Sequence, residues 1–273
     1  MKTTKKYIFG LSYLLIISLV FASCEEVIDI TLNDAEPKLT MDGVINLNSA
    51  ATVKLSYTTS YFADEPPIYE TNATIKITNK RGISEILSHV GNGYYIGQSL
   101  LGEVGIEYEL SVVVDGKIHA GNSRLMTPTQ IVDLSYTKFD GFGSSNDEDE
   151  YNLEIVLKNN PQEDNYYLVK YYLNGSDKEE TYSLWSHEFF PNDELIEFSP
   201  LRFSFTKDDF VTVKAYSIDE GTYDYYSQLD EIIDQRGGGS STPFNPTSNL
   251  GKDILGYFRA WSFDEKSIQV EDN

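Results

Sequence analysis

Apolar and polar residues alternate along much of the chain from residue 38 onward. Ile75 and Ile77 alternate with polar residues in segment 73–78, and Val53, Leu55 and Tyr57 do the same in segment 52–57. Such alternation places apolar side chains on one face of a pleated strand, so it predicts half-buried β-strands. The predicted strands are 38–45, 52–57, 73–78, 94–96, 108–114, 117–120, 131–139, 151–157, 166–173, 181–185, 203–205, 211–217 and 254–263.

The turns between these segments indicate the fold class. Asp115-Gly116 joins two of the predicted strands, and Asp-Gly favours a type I′ hairpin because both of its central residues have positive φ. Short strands separated by Gly, Asn and Asp turns predict an all-β fold of two β-sandwich-like domains. We expect the first at 36–127, where segment 94–114 resembles immunoglobulin-like or carboxypeptidase-regulatory-like modules, and the second at 128–273. Proline keeps the backbone extended in the predicted linker, Thr127-Pro128-Thr129.

One helix is predicted in the second domain, at about 220–236. Asp219 precedes the segment as a potential N-cap, and Gly237 follows it as a potential end. The helical spacing of apolar residues predicts a buried stripe, formed by Tyr223, Tyr226, Leu229, Ile232 and Ile233.

The first 24 residues have the pattern of a bacterial secretory signal with a lipoprotein processing site. Basic residues at 2, 5 and 6 precede an apolar run at 7–20, and Phe21-Ala22-Ser23 leads into Cys24, the only cysteine of the chain. The run is shorter than the roughly 20 residues of a membrane-spanning helix. We therefore predict that residues 1–23 are removed and that Cys24 carries diacylglycerol and an N-acyl chain such as palmitate. The alternative is an ordinary signal peptide with Cys24 as a free thiol.

Glu25 and Glu26 directly follow the predicted lipid attachment site, within a predicted tether at 24–35. Acidic residues at this position resemble the surface-export signal of Bacteroidota-type Gram-negative bacteria. This resemblance implies an outer-membrane protein that faces the cell surface. The alternative is a solvated spacer without export information.

The charge of the chain limits its partners. Its 43 acidic and 21 basic residues give a formal net charge of −22 at pH 7. Nucleic-acid binding depends on Lys and Arg neutralising phosphates, so we expect no nucleic-acid partner. An anionic membrane surface repels such a body, and we expect membrane contact through the lipid anchor alone.

No catalytic or metal-binding motif is visible in the sequence. His89, His119 and His187 are scattered, and the acidic run 147–150 lacks the ordered spacing of a calcium loop. No Gly-x-Ser-x-Gly nucleophile elbow is present. We therefore expect no enzyme activity, no metal site, and no cofactor apart from the covalent lipid.

Aromatic residues are abundant, with 20 tyrosines in the chain. Most are expected to pack in sheets, but Tyr and Trp also suit binding surfaces because they combine an apolar body with a polar tip. The candidate binding residues lie in or beside predicted loops and are Trp185, Phe189, Phe190, Trp261, Tyr61 and Phe62.

Several short motifs are similar to those of one lipoprotein family. They are the run from Cys24 to Ile30, the run from Asp34 to Leu39, Thr127-Pro128, Ile131-Val132-Asp133, Asn165-Tyr166-Tyr167, Pro246-Thr247-Ser248-Asn249-Leu250, Leu255-Gly256-Tyr257-Phe258 and Ala260-Trp261-Ser262. The chain thereby resembles outer-membrane lipoproteins that carry a domain of unknown function and are often encoded beside SusC-like TonB-dependent receptors. The chain departs from the family pattern at Lys252-Asp253, where Gly-Gly is usual, and we expect this difference to alter the last loop.

The resemblance implies a location and a receptor neighbour but no reaction. We therefore expect a non-catalytic accessory partner of a TonB-dependent transporter in nutrient uptake. The alternatives are a surface hydrolase acting on glycan or peptide, and an adhesin or structural surface protein.

Overall fold

A computed structural model describes residues 36–60, 66–139, 150–201, 203–235 and 244–270. Most of these residues lie in β-strands, which confirms the all-β prediction. The strands are β1 (Leu39–Asn46), β2 (Ala50–Tyr57), β3 (Thr74–Asn79), β4 (Ser84–Ile86), β5 (Ser88–Gly91), β6 (Tyr94–Leu101), β7 (Glu107–Val114), β8 (Lys117–Arg124), β9 (Ile131–Lys138), β10 (Glu150–Lys158), β11 (Tyr166–Leu173), β12 (Ser176–Ser186), β13 (Leu195–Phe198), β14 (Ser204–Thr206), β15 (Phe210–Ile218) and β16 (Ile254–Gln269).

The predicted hairpin and helix are both present. Asp115 and Gly116 have φ values of 49° and 77°, and they connect β7 to β8 with Val114 opposite Lys117. Helix α1 spans Glu220–Gln235, and residue 236, the last of the predicted helix, lies outside the described residues. Within the described ranges, no helix is long and apolar enough to cross a membrane.

An eight-stranded sheet runs through the protein in the order β12-β11-β15-β16-β1-β2-β6-β5. Strand β16 is central to it. Its first half pairs in parallel with β1, and its second half pairs antiparallel with β15. At the start of this pairing Gly256 has a φ of 92°, and a Cβ at this position would collide with the carbonyl group of Met41. Glycine is thus required where the two strands approach each other.

Two four-stranded sheets pack on the eight-stranded sheet. Strands β4-β3-β7-β8 form one of them, and β9, β10, β13 and β14 form the other. The first core lies under the former sheet and includes Ile77, Leu110 and Phe258. The second core lies under the latter sheet and includes Ile155 and Val213.

The long strand β16 contributes to both of these cores. Phe258 and Ala260 lie in the first core, and Ile268 packs against the second. The described residues from Pro37 onward form one compact unit, and the eight-stranded sheet contains strands from both sides of the predicted linker.

Helix α1 covers a third core on the opposite face of the eight-stranded sheet. Tyr226 of the helix and Trp261 of β16 are buried there, and Tyr223 and Leu229 pack at its border. Odd-numbered Trp261 points to the helix because even-numbered Phe258 and Ala260 point to the first core, as strand periodicity requires.

Candidate functional site

An open cleft of about 1160 Å³ lies beside segment 127–130. Ligand-binding pockets usually have volumes of about 300–1,000 Å³, so the cleft is large enough for a ligand of several chemical units. Its lining residues are Thr127, Pro128, Thr129, Gln130, Val132, Lys158, Asn159, Asn160, Pro161, Glu163, Asn165, Tyr167, Glu194, Leu195, Phe263 and Asp264.

One side of the cleft is fixed to the eight-stranded sheet by hydrogen bonds. The Thr129 N–H donates to the Ser217 hydroxyl at 2.8 Å, and the Ile131 N–H donates to Asp264 Oδ2 at 2.8 Å. The Thr129 hydroxyl also donates to the main-chain oxygen of Lys158 at 2.6 Å. Segment 127–131 is therefore held against both β15 and the end of β10.

Two buried asparagines form another wall of the cleft. Asn159 Nδ2 donates to the main-chain oxygen of Asp193 at 2.7 Å, and Asn165 Nδ2 donates to that of Asn160 at 2.7 Å. The first bond joins loop 159–165 to loop 187–194, and the second braces loop 159–165 internally. Because the amide groups are satisfied internally, the wall is organised before any ligand arrives.

Tyr167 also contributes to this wall. Its hydroxyl donates to Asn159 Oδ1 at 2.9 Å. Burial raises the pKa of Tyr167, and the nearby Glu163 charge raises this pKa further. The phenol therefore stays protonated and remains a donor to the asparagine at physiological pH.

Other polar groups of the cleft remain available to a ligand. The side chains of Gln130, Lys158, Glu163 and Glu194 are exposed and make no hydrogen bond to another described residue. They provide amide, ammonium and carboxylate groups at the cleft surface. The arrangement can therefore donate and accept hydrogen bonds without breaking those that hold the walls.

Apolar side chains stand beside these polar groups. Phe263 is 43% exposed, and Val132 and Leu195 are each 47% exposed. The Phe263 ring packs against Tyr216 at 5.3 Å between ring centroids, and the Lys214 ammonium group lies 5.1 Å from the Phe263 centroid. Phe263 thus combines a fixed orientation with exposed ring surface.

Three of the predicted binding residues form an aromatic cluster behind the asparagine wall. Trp185 packs against Phe190 at 5.5 Å, Phe198 at 4.9 Å and Phe189 at 6.3 Å between ring centroids. Phe189 is 62% exposed. The cluster adjoins the cleft wall because Asn159 Nδ2 also approaches the Phe190 carbonyl oxygen at 3.4 Å.

Trp261 lies apart from this aromatic cluster. It is only 6% exposed and packs in the third core, with its ring 4.4 Å from that of Tyr216. Its indole N–H donates to Asn46 Oδ1, and the Arg259 guanidinium group lies 4.6 Å from its ring. Its surroundings in the structure are those of a core residue.

The remaining predicted functional residues, Cys24, Glu25, Glu26, Tyr61 and Phe62, lie outside the described residues. Among the residues that are described, no group of three or more His, Cys, Asp or Glu side chains is placed to hold a metal ion.

Sequence reasoning did not find the cleft. Its lining comes from four separate stretches of the chain, around residues 130, 160, 195 and 263. Asn159-Asn160-Pro161 followed by Asn165 was the available sequence signal, because asparagine and proline are typical of structured turns. That signal predicts a loop, and only the fold brings the loop to a cleft.

A family model described as "Domain of unknown function (DUF4249)" matches residues 25–267. The match includes every residue that lines the cleft. No curated protein matches the chain.

Proposed function

This chain belongs to the DUF4249 family of domains of unknown function, and from that premise we propose that it is a lipid-anchored, non-catalytic binding protein of the outer-membrane surface. It serves as an accessory partner of a TonB-dependent transporter in nutrient uptake. The body of the protein contacts the transporter or its cargo, and the lipid on Cys24 keeps it in the membrane.

The cleft is the observation that carries the binding part of this proposal. Its asparagine wall is fixed by internal hydrogen bonds. The side chains of Gln130, Lys158, Glu163 and Glu194 make no hydrogen bond to any residue that the structure describes. Glu163 and Glu194 are exposed to water, and Asp264 accepts a main-chain hydrogen bond from Ile131. Exposed and structurally engaged carboxylates suit ligand contact better than general acid catalysis, which uses carboxyl groups enclosed in a site that excludes water.

The location follows from the sequence features around Cys24. Several acyl chains on one residue provide firm anchoring, since each buried methylene contributes about 0.8 kcal/mol. Anchoring confines the protein to the same surface as a transporter and raises its effective concentration there. The identity of the partner as a TonB-dependent receptor rests on the family resemblance alone.

The proposal is tested by affinity purification from detergent-solubilised outer membranes. The full chain carries a C-terminal tag, and Cys24 is left intact. We expect a β-barrel receptor to elute in stoichiometric amount with the lipoprotein. A Cys24→Ser variant is the control, and it should yield much less receptor because it is not held at the membrane. Elution of the wild-type lipoprotein alone would contradict the transporter role.

A further inference from the structure

We propose that the cleft binds a neutral oligosaccharide through side chains rather than through its main chain. The inference rests on the proposed binding function and adds the chemical class of the ligand. It depends on four properties of the cleft, namely its main-chain donors, its free polar groups, its apolar surface and its charge.

The main chain of the cleft offers few donors to a ligand. Proteins that bind extended peptides commonly do so by main-chain pairing, which requires free N–H groups along a strand edge. In the cleft, several main-chain N–H groups already donate hydrogen bonds within the protein, and the proline residues have no main-chain N–H group. The N–H groups of Thr129, Lys158, Asn159 and Glu163 are engaged, and Pro128 and Pro161 lack the donor. This disfavours an extended peptide as the ligand.

The free side chains match hydroxyl groups instead. A hydroxyl donates one hydrogen bond and accepts others, so it pairs with carboxylates, amides and ammonium groups alike. Glu163 and Glu194 provide acceptors, Lys158 provides donors, and Gln130 provides both. A ligand with many hydroxyl groups can use all four side chains without breaking a side-chain hydrogen bond to another described residue.

The apolar surface suits the faces of sugar rings. A pyranose has polar edges and faces rich in C–H groups, and such faces pack on aromatic rings. Phe263 presents exposed ring surface in a fixed orientation, with Leu195 and Val132 also on the lining. The combination of one aromatic platform with surrounding polar groups fits a ligand that is itself part polar and part apolar.

The charge of the cleft excludes strongly anionic ligands. Lys158 is the one basic residue among the lining residues, against Glu163, Glu194 and Asp264. The whole chain is also strongly negative, at −22, and repels anions at a distance. A neutral glycan avoids this repulsion, and the volume of about 1160 Å³ accommodates several sugar units.

The test uses the detergent-solubilised full chain on an array of neutral and acidic glycans, followed by calorimetric titration with the best neutral hexasaccharide. A random hexapeptide mixture serves as the peptide probe. We expect saturable binding of at least one neutral glycan, with affinity increasing with chain length, and no binding of the peptides. The inference would be overturned if no neutral glycan on the array bound, or if only peptides or acidic glycans bound.

Two variants locate the binding in the cleft. Phe263→Ala should weaken hexasaccharide binding about tenfold, because it removes the stacking surface. Phe210→Ala is the matched control, since Phe210 is 46% exposed on the neighbouring strand of the same sheet but does not line the cleft. Gln130→Ala should also weaken binding, and it removes no hydrogen bond within the described part of the chain. If all three variants bound the hexasaccharide as tightly as the wild type, the glycan would bind elsewhere and the cleft would be rejected as its site.

The glycan test and the receptor test can fail independently. Glycan titration uses the isolated lipoprotein, whereas receptor association is measured by affinity purification. If a receptor elutes with the lipoprotein but no glycan binds, the accessory role is retained and the ligand assignment is rejected. If a glycan binds but no receptor elutes, the ligand assignment is retained and the accessory role is rejected.

Discussion

The carboxylate of Glu85 accepts main-chain hydrogen bonds from three successive residues of β6. Oε1 accepts from Gln98 at 2.7 Å, Oε2 accepts from Leu100 at 2.8 Å, and both oxygens accept from Ser99 at 3.1 Å. Pairing between β2 and β6 is irregular at this place, so these N–H groups need other acceptors. Because Glu85 lies on β4, its side chain joins a four-stranded sheet to β6 of the eight-stranded sheet.

Hydrogen bonding at Glu85 makes the stability of the fold depend on pH. Burial raises the pKa of this carboxyl group, but the N–H donors of Leu100, Gln98 and Ser99 together outweigh burial and lower the pKa below its ordinary value. A pKa that is lower in the folded state favours the ionised, folded form. The stabilisation is therefore complete above the ordinary pKa of the carboxyl group and is lost as the pH falls through the lowered value.

We expect Glu85→Gln to reduce the free energy of unfolding by about 1–2 kcal/mol at pH 7, since charged acceptors form stronger hydrogen bonds. Urea unfolding at pH 7 and pH 3 measures this effect. The difference between wild type and variant should be smaller at pH 3 than at pH 7, because protonation of Glu85 on acidification removes the charged acceptor. Glu109→Gln is the control, because Glu109 is exposed on β7. An equal loss at both pH values would contradict the role of the charge.

At the scale of elements, Asp219 links the start of helix α1 to the neighbouring strands. Its Oδ1 accepts from the Thr222 N–H at 2.9 Å, which confirms the predicted N-cap. Its Oδ2 accepts from the Ser123 hydroxyl at 2.7 Å and from the Arg124 N–H at 2.8 Å, and Ser123 in turn accepts from the Ala260 N–H. One carboxylate therefore positions α1 against β8 and β16.

We expect Asp219→Ala to destabilise the protein by about 2 kcal/mol or more, because the loss of an N-cap is combined with unsatisfied donors on β8. Asp224→Ala, at an exposed position in the same helix, should have little effect. Urea unfolding followed by circular dichroism measures both variants. If Asp219→Ala and Asp224→Ala lowered the free energy of unfolding equally, the cap would have no special role in holding the helix.

The helix was predictable because its cap and its apolar stripe are local. Three strands that the sequence did not predict, β4, β5 and β13, contain three or four residues each and are largely exposed. Their alternation is too short to detect, and they form because a longer strand provides the pairing partner. Strand β16 likewise continues six residues beyond the predicted 254–263, because β15 pairs with its second half.

At the scale of the whole molecule, the sequence predicts attachment through Cys24 and export through Glu25 and Glu26. We expect Cys24→Ser to abolish metabolic labelling with palmitate and to move the protein out of the membrane fraction. The double variant Glu25→Gln with Glu26→Gln should keep the label but become resistant to protease added to intact cells, since export is lost.

The matched control for the export prediction is the double variant Asp34→Asn with Glu36→Gln, which removes two acidic residues further from the lipid. This control should remain sensitive to protease added to intact cells. If both double variants became resistant to the protease, negative charge in general would direct the location. If both remained sensitive, Glu25 and Glu26 would carry no export information.

The sequence by itself determined what depends on neighbouring residues. Strand alternation, the Asp115-Gly116 turn and the capped helix all follow from contacts within a few positions of the chain. The grouping of Trp185, Phe189 and Phe190 was also partly predictable, because these residues lie close together in sequence.

Tertiary structure alone decided which segments meet. The parallel pairing of β1 with β16 joins residues more than 200 positions apart, and the cleft joins four distant stretches. Trp261 was predicted beside a loop, yet α1 and β15 bury it. Such contacts depend on which apolar faces cover one another, and alternation along a strand shows that a face is apolar without identifying its partner.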